Sequence, residues 1–249
     1  MRILVATVAH RGDDARILFR QIDALLAAGL DVTYVAPIVE NPIDPRIRHF
    51  VVPRAVGRRR VGSWWKAVRA IRRERRGVDL ILVHDLELVV PIRVFCRGIQ
   101  IVWDVHEDVV ASVADRNWIP RRLRRPAESA VKVLEMIARK SSKQILAESS
   151  YRERLGPWPV VPNSAVVPEL DGPAGAFESP TVVYLGRIST SRGLDAMIQV
   201  GQELAADVRL VLIGPADLSV VEQLRHAHEK DYLKWLGPLP NPEALEHVR

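Results

Sequence analysis

Two clusters in this chain set an imidazole among carboxylates. Val83-His84-Asp85-Leu86-Glu87 is one, and Trp103-Asp104-Val105-His106-Glu107-Asp108 is the other. A further histidine, His10, opens the run His10-Arg11-Gly12-Asp13-Asp14. One histidine on a loop is ordinary surface. Two flanked by carboxylates suit a polar pocket for a hydroxyl-rich ligand. Histidine and aspartate are also metal ligands, and the clusters alone leave that open. Gly12 before a helix permits close backbone approach to a ligand, and a helix N-terminus favours an anion. A plain strand-to-helix turn would look the same. Further on, Gly186-Arg187 is followed by Ser189-Thr190-Ser191-Arg192-Gly193-Leu194-Asp195. Arginines supply forked donors to phosphate, and a helix start adds its dipole, so this run could cradle a diphosphate. Surface arginines on an ordinary strand-loop-helix are the alternative.

The elements that must hold these residues alternate. Apolar, β-branched runs at 3–9, 32–36, 50–53, 80–83, 101–105 and 144–147 predict strands buried on both faces. Between them lie helical patterns over 17–26, 63–76, 86–97 and 126–140, with Pro91 a point of interruption. The helix after Asp13-Asp14 has a good N-cap and ends at Gly29. Strands alternating with helices imply a parallel sheet covered on both faces, which binds ligands beyond the carboxyl ends of its strands. That rule points to the loops after residues 9, 83 and 105. Pro157, Pro159, Pro162, Pro168 and Pro173 mark a linker within 156–180. Alternation then restarts, with strands at 182–185, 208–213 and 233–236 and helices at 190–205, 218–230 and from 243. The expected division is an N-terminal Rossmann-like domain over 1–165, a linker over 166–178 and a partial C-terminal domain over 179–249. No G-x-G-x-x-G follows any strand, which argues against a nicotinamide enzyme.

Composition narrows the class. The 249 residues are 48% hydrophobic and 27% charged, as in globular proteins. The single cysteine, Cys96, excludes an intramolecular disulfide and a Cys-rich metal site. There is no signal-peptide pattern at the start and no apolar run of membrane-spanning length, so a cytoplasmic location is expected. The net charge is +6, yet residues 54–76 alone hold ten Lys or Arg against one acid, Glu74. The basic character is therefore local. Trp64, Val68 and Ile71 fall on one helical stripe, and Lys66, Arg69, Arg73 and Arg76 on another. Trp65 adjoins them, and a second basic-aromatic group runs over 118–125. Such helices suit an anionic membrane face. Equally, the tryptophans could be core and the arginines a solvated face. Nucleic-acid binding would rest on the charge alone, with no recognition motif beside it.

These motifs together resemble family 4 of the glycosyltransferases. The matching stretches are 13–36, HDLE at 84–87, WDVHED at 103–108, AESSYRERL at 147–155, VVPNSAVVPEL at 160–170, YLGRISTSRGLDAMI at 184–198, LVLIGPAD at 210–217 and KWLGPLPNPEALEHV at 234–248. The resemblance implies an α/β, GT-B-like architecture of two Rossmann-like domains. It implies retaining transfer of a sugar from a nucleotide-sugar to an acceptor hydroxyl, with no cofactor and no metal. His106 then matches the histidine near the transferred sugar, the catalytic position. Gly12, Gly186, Arg187, Arg192 and Gly193 match the donor side. His10, Arg11, Asp14, His84, Asp85 and Glu107 are expected on the acceptor side, facing a carbohydrate or lipid-linked acceptor. Asn163 matches a structural asparagine at the domain crossover.

Two departures qualify the likeness. Arg192 stands where the family usually has lysine. The family's paired-glutamate E-x7-E motif does not occur before Arg249, so a C-terminally truncated relative, inactive alone or completed by an oligomer or another chain, is also expected. A non-catalytic binding protein is the competing expectation.

Overall fold

The computed structural model describes residues 1–40, 42–57, 60–107, 109–110, 121–164, 180–204 and 207–247. Arg58, Arg59, Asp108, the aromatic start of the 118–125 group and the 166–178 linker lie outside them. The chain divides into two compact units, Met1–Val166 and Val167–Arg249.

The first unit is built on six parallel strands: β1 (Arg2–Ala6), β2 (Asp31–Ala36), β3 (Arg48–Val51), β4 (Leu80–Val83), β5 (Gln100–Val105) and β6 (Lys143–Leu146). Their order is β3-β2-β1-β4-β5-β6. The order reverses between β1 and β4, the switch point where doubly wound sheets bind ligands. Side chains alternate between two cores. Leu4 and Ala6 point into one with Val68, Ile71 and Trp103; Ile3 and Val5 point into the other with Ile17, Ile22 and Tyr34. Each fully buried Ile or Leu contributes roughly 1.5–3 kcal/mol. The register sets Ala6 beside Val83 and Val83 beside Trp103, so the ends of β1, β4 and β5 lie side by side.

Several boundaries differ from the sequence expectation. β1 ends at Ala6, not residue 9, because the N–H groups of Val8 and Ala9 turn to the carboxylate of Asp85. β3 begins two residues earlier than expected, at Arg48. Residues Ile17–Ile22 form a π-helix that runs into α1 (Asp23–Ala27). Asp14, rather than Asp13, accepts the N–H groups of Arg16 and Ile17 at the helix start, at 3.0 and 3.1 Å. Pro91 does not interrupt its helix, Leu86–Phe95, and the long helix begins at Arg121, upstream of Pro126.

On the basic helix Arg60–Glu74, Val68 and Ile71 are buried and Trp64 packs against the same core. Lys66, Arg69, Arg72, Arg73 and the following Arg76 are exposed, as is Trp65 at 52%. Arg60 and Arg75 are engaged within the protein, by Glu87 and by the Phe95 carbonyl. No helix among the described residues is long and apolar enough to cross a membrane.

The second unit has three parallel strands in the order β7-β8-β9: Thr181–Leu185, Arg209–Ile213 and Lys234–Trp235. A 3-10 turn, Thr190–Arg192, leads through Gly193 into a helix over Leu194–Leu204. Gly193 has φ 82°, a left-handed conformation that glycine adopts without a Cβ penalty. Helices Val221–Glu229 and Asn241–Glu246 complete the unit.

Candidate functional site

At the ends of β1, β4 and β5 a cavity of about 850 Å³ is lined by His10, Arg54, His84, Asp85, Glu87, Asp104, His106 and Glu107, with Ala55, Val56 and Val109 as apolar wall. Five residues expected on the acceptor side or at the reacting sugar, His10, His84, Asp85, His106 and Glu107, thus converge on one space. They come from three loops because each strand delivers its first residues beyond the sheet to the same edge.

Two buried carboxylates organise this edge. Asp85 accepts the N–H of Val8 at 2.5 Å, that of Ala9 at 3.3 Å and the hydroxyl of Thr7 at 3.3 Å. Its other neighbour is His10, whose Nε2 is 3.6 Å away. Burial pushes the Asp85 carboxyl above the usual carboxylate range, against the opposing pull of His10 and the two backbone N–H groups. Asp104 has the opposite fate. Burial alone would raise it, but Arg16 and His84 outweigh burial and hold it well below the usual range. The Arg16 fork donates through Nε and Nη2 at 2.8 Å each, and Gln21 donates at 2.7 Å. Arg16 Nη2 also reaches the Val161 carbonyl at 3.0 Å.

The π-turn explains how one helix serves Asp104 twice. The N–H of Gln21 bonds to the carbonyl of Arg16 at 3.0 Å, five residues back. That wide turn brings Arg16 and Gln21 onto one face. Neither residue is evident from the sequence. The only available sign is Arg16 itself, a charge set against Ile17 and Leu18 where the helix enters the core. Nearby, Arg20 donates to the side-chain oxygen of Asn163.

The three histidines form a chain. His106 Nε2 lies 3.1 Å from His10 Nε2, and its Nδ1 lies 3.3 Å from the Asp104 carbonyl oxygen. The His84 ring is edge-on to His106 with centroids 5.7 Å apart. His84 Nδ1 is 3.2 Å from Asp104 Oδ2, yet neither of its ring nitrogens makes a hydrogen bond among the described residues. Burial, then His10 and His84, push His106 down to about 4, against the carboxylates of Asp104 and Asp14. His106 is therefore a neutral imidazole at neutral pH.

Arg11 and Gly12 face elsewhere, toward a second cavity of about 590 Å³ that they line with Asp13, Ile38 and Glu40. Arg11 pairs with Asp13 at 2.7 Å. Any Cβ at Gly12 would collide with the backbone carbonyls of Pro37 and Ile38, so packing by itself requires glycine there. Asp14 stays beside the first cavity, its carboxylate 3.9 Å from His10 Nδ1.

In the second unit the Gly186 N–H donates to the Ile213 carbonyl at 2.9 Å, continuing the sheet past β7. Arg187 is 68% exposed and pairs with Asp217, Nε to Oδ1 at 2.7 Å. Arg192 is exposed and has no ion-pair partner among the described residues. It stands with Gly193 at the start of helix Leu194–Leu204.

Among the described residues, histidine and carboxylate atoms able to take a metal gather in two sets, His10 with His106 and Glu107, and His84 with Asp104 and His106.

No protein-family model matches the chain, and no curated protein matches it. Among solved structures it is similar to a sucrose-phosphate synthase from Thermosynechococcus elongatus, with TM-score 0.70 and 16% identity over 99% of this chain and 73% of that one. It is also similar to HepE of Anabaena in complex with UDP and glucose, with TM-score 0.65 and 14% identity over 98% and 71%. WaaG, a glycosyltransferase involved in lipopolysaccharide biosynthesis, gives TM-score 0.65 and 14% identity over 99% and 72%. The fold is α/β and GT-B-like, with Rossmann-type parallel sheets.

Proposed function

We propose that this chain is a nucleotide-sugar-dependent glycosyltransferase, akin to family 4, which moves a sugar to an acceptor hydroxyl with retention of configuration. The observation that carries this reading is the makeup of the 850 Å³ cavity at the switch point. Its wall holds three histidines, and three of its four carboxylates are engaged by protein groups: Asp85 by backbone N–H groups, Asp104 by Arg16 and Glu87 by Arg60. Such a wall hydrogen-bonds hydroxyls well but holds its buried carboxylates away from a role as nucleophile. Retention itself rests on the resemblance of the motifs.

In this reading His106 hydrogen-bonds the transferred sugar as its bond to the diphosphate breaks. Arg187, Arg192 and the N-terminus of helix Leu194–Leu204 stabilise the leaving diphosphate, so the positive charge comes from side chains and the step takes no metal. Arg187 must exchange Asp217 for phosphate, a small cost for an exposed pair. The similarity to HepE, solved with UDP and glucose, makes UDP and UDP-glucose the first probes. The acceptor is a glycan or a lipid-linked cell-envelope molecule, with exposed Lys66, Arg69, Arg73, Arg76 and Trp65 meeting an anionic membrane face.

Calorimetric titration with a panel of nucleoside diphosphates and their sugars tests the donor side. Binding of at least one, lost in Arg187→Ala, is expected. His106→Ala should lower turnover more than donor affinity, the signature of a transition-state contact. Failure of every nucleotide to bind would remove the reading. Co-sedimentation with anionic but not neutral vesicles checks the membrane contact separately.

A further inference from the structure

The histidine pair in the cavity has an arrangement that sugar binding does not require. His106 Nδ1 is 3.3 Å from the Asp104 carbonyl oxygen, which only accepts hydrogen bonds. Nδ1 therefore carries the proton, and Nε2 of the neutral ring presents a lone pair. That lone pair faces His10 Nε2 at 3.1 Å. His10 in turn directs its Nδ1 toward the Asp14 carboxylate at 3.9 Å. His106 thus has an oxygen hydrogen-bonded behind its outer nitrogen, the arrangement that orients metal-bound imidazoles, while Asp14 stands near the outer nitrogen of His10 beyond hydrogen-bond range.

We propose that His10, His106 and Glu107 form a binding site for a divalent transition-metal ion, with zinc the best matched. Two imidazole nitrogens on a tetrahedral zinc, with bonds of about 2.0–2.1 Å, stand about 3.3 Å apart. The pair here is already at 3.1 Å. Ligand atoms of all three residues lie within 4.8 Å of one another. Two histidines and one glutamate are a zinc donor set, and the open cavity leaves a fourth position for water. An all-oxygen site for magnesium or calcium is not what these residues offer. The neighbouring set of His84, Asp104 and His106 is excluded by its bonding. Both Asp104 oxygens are committed to Arg16 and Gln21, and the His106 nitrogen on that side carries the proton. The buried Asp85 Oδ1, 3.6 Å from His10 Nε2, lies on the chosen side. An ion there occupies the same wall as the proposed sugar, so it acts as a competitor and not as a cofactor. Binding itself does not depend on the transferase reading.

The competing account is a plain hydrogen bond from His10 Nε2–H to His106 Nε2, with Glu107 uninvolved. Titration of the chelator-treated full chain distinguishes them, using zinc by calorimetry and cobalt by its visible tetrahedral absorption. Expected are a single ion per chain and no uptake of magnesium. His10→Asn should weaken zinc binding by more than about tenfold, the lower end of the loss seen even for outer-shell partners, and Glu107→Gln by less. His226→Asn/His247→Asn, outside the site, should leave affinity unchanged. His10 is partly exposed, so His10→Asn carries the test even if His106→Asn unfolds, with circular dichroism and melting as the check on folding. No zinc uptake by the parent, or parent-like affinity in His10→Asn, would overturn the proposal.

Discussion

The two units place charged groups at the ends of parallel strands in opposite ways. In the first, Arg16 is 4% exposed and locked to a fully buried Asp104 by a fork, a glutamine and a carbonyl. In the second, Arg187 is 68% exposed and holds one surface aspartate. The first arrangement is complete before any ligand arrives, and its carboxylate stands beside both His84 and His106. The second keeps its cations weakly bound and available. A buried pair is costly to break, whereas an exposed one contributes little to stability. The contrast fits the proposed division between a wall that recognises a sugar and an exposed site that takes its diphosphate.

The largest expected effect tests the locked side. Arg16→Met leaves Asp104 buried without its fork and should lower unfolding free energy by about 3–5 kcal/mol in chemical denaturation. A loss below about 1 kcal/mol would erase the contrast. Next comes pH. His106 is held down to about 4 against an ordinary value of 6.5. The unfolded chain therefore binds the proton first, so the stabilising difference is full above pH 6.5 and is lost as pH falls toward 4. The shift corresponds to about 3 kcal/mol, read from denaturation of chelator-treated protein across that window and its absence in His106→Gln. A smaller effect tests the cradle. Arg187→Ala should weaken nucleoside diphosphate binding by about 1.5–3 kcal/mol, the scale of a charged hydrogen bond. The smallest sharpens the comparison directly: the same Arg187→Ala change should alter unfolding free energy by less than about 1 kcal/mol. An Arg187 variant that destabilises as much as Arg16→Met would show the second unit to be locked as well.

Legibility in the sequence followed the distance between partners. The parallel sheet was readable because β-branched runs such as residues 32–36 and 101–105 carry their own signal. The strand, turn and helix that carry Gly186-Arg187 and Arg192-Gly193 were readable because they are adjacent. The end of β1 was misplaced because Thr7, Val8 and Ala9 look like strand, while the carboxylate that turns them away is Asp85, 77 residues from Val8. Arg16 went unnoticed for the same reason, since Asp104 lies 88 residues on. The π-turn left no mark, because apolar spacing over 17–26 fits an α-helix equally well. The aspartate at 104 was visible as part of a cluster, but its role as a buried anchor depends on donors that only the fold assembles.

The π-turn also has a bearing on how this chain tolerates changes in length. A π-turn amounts to one residue more than an α-helix needs for the same turn. Deleting a single residue within Ile17–Ile22 would let the helix close as ordinary α, with no proline or glycine to resist it. Such a helix would be better by local propensity, yet Gln21 would rotate off the face it shares with Arg16 and lose Asp104. Insertions and deletions are usually absorbed in surface loops. Here the length of an interior helical turn is tied to a carboxylate on another strand, so this segment should vary in sequence far more readily than in residue count.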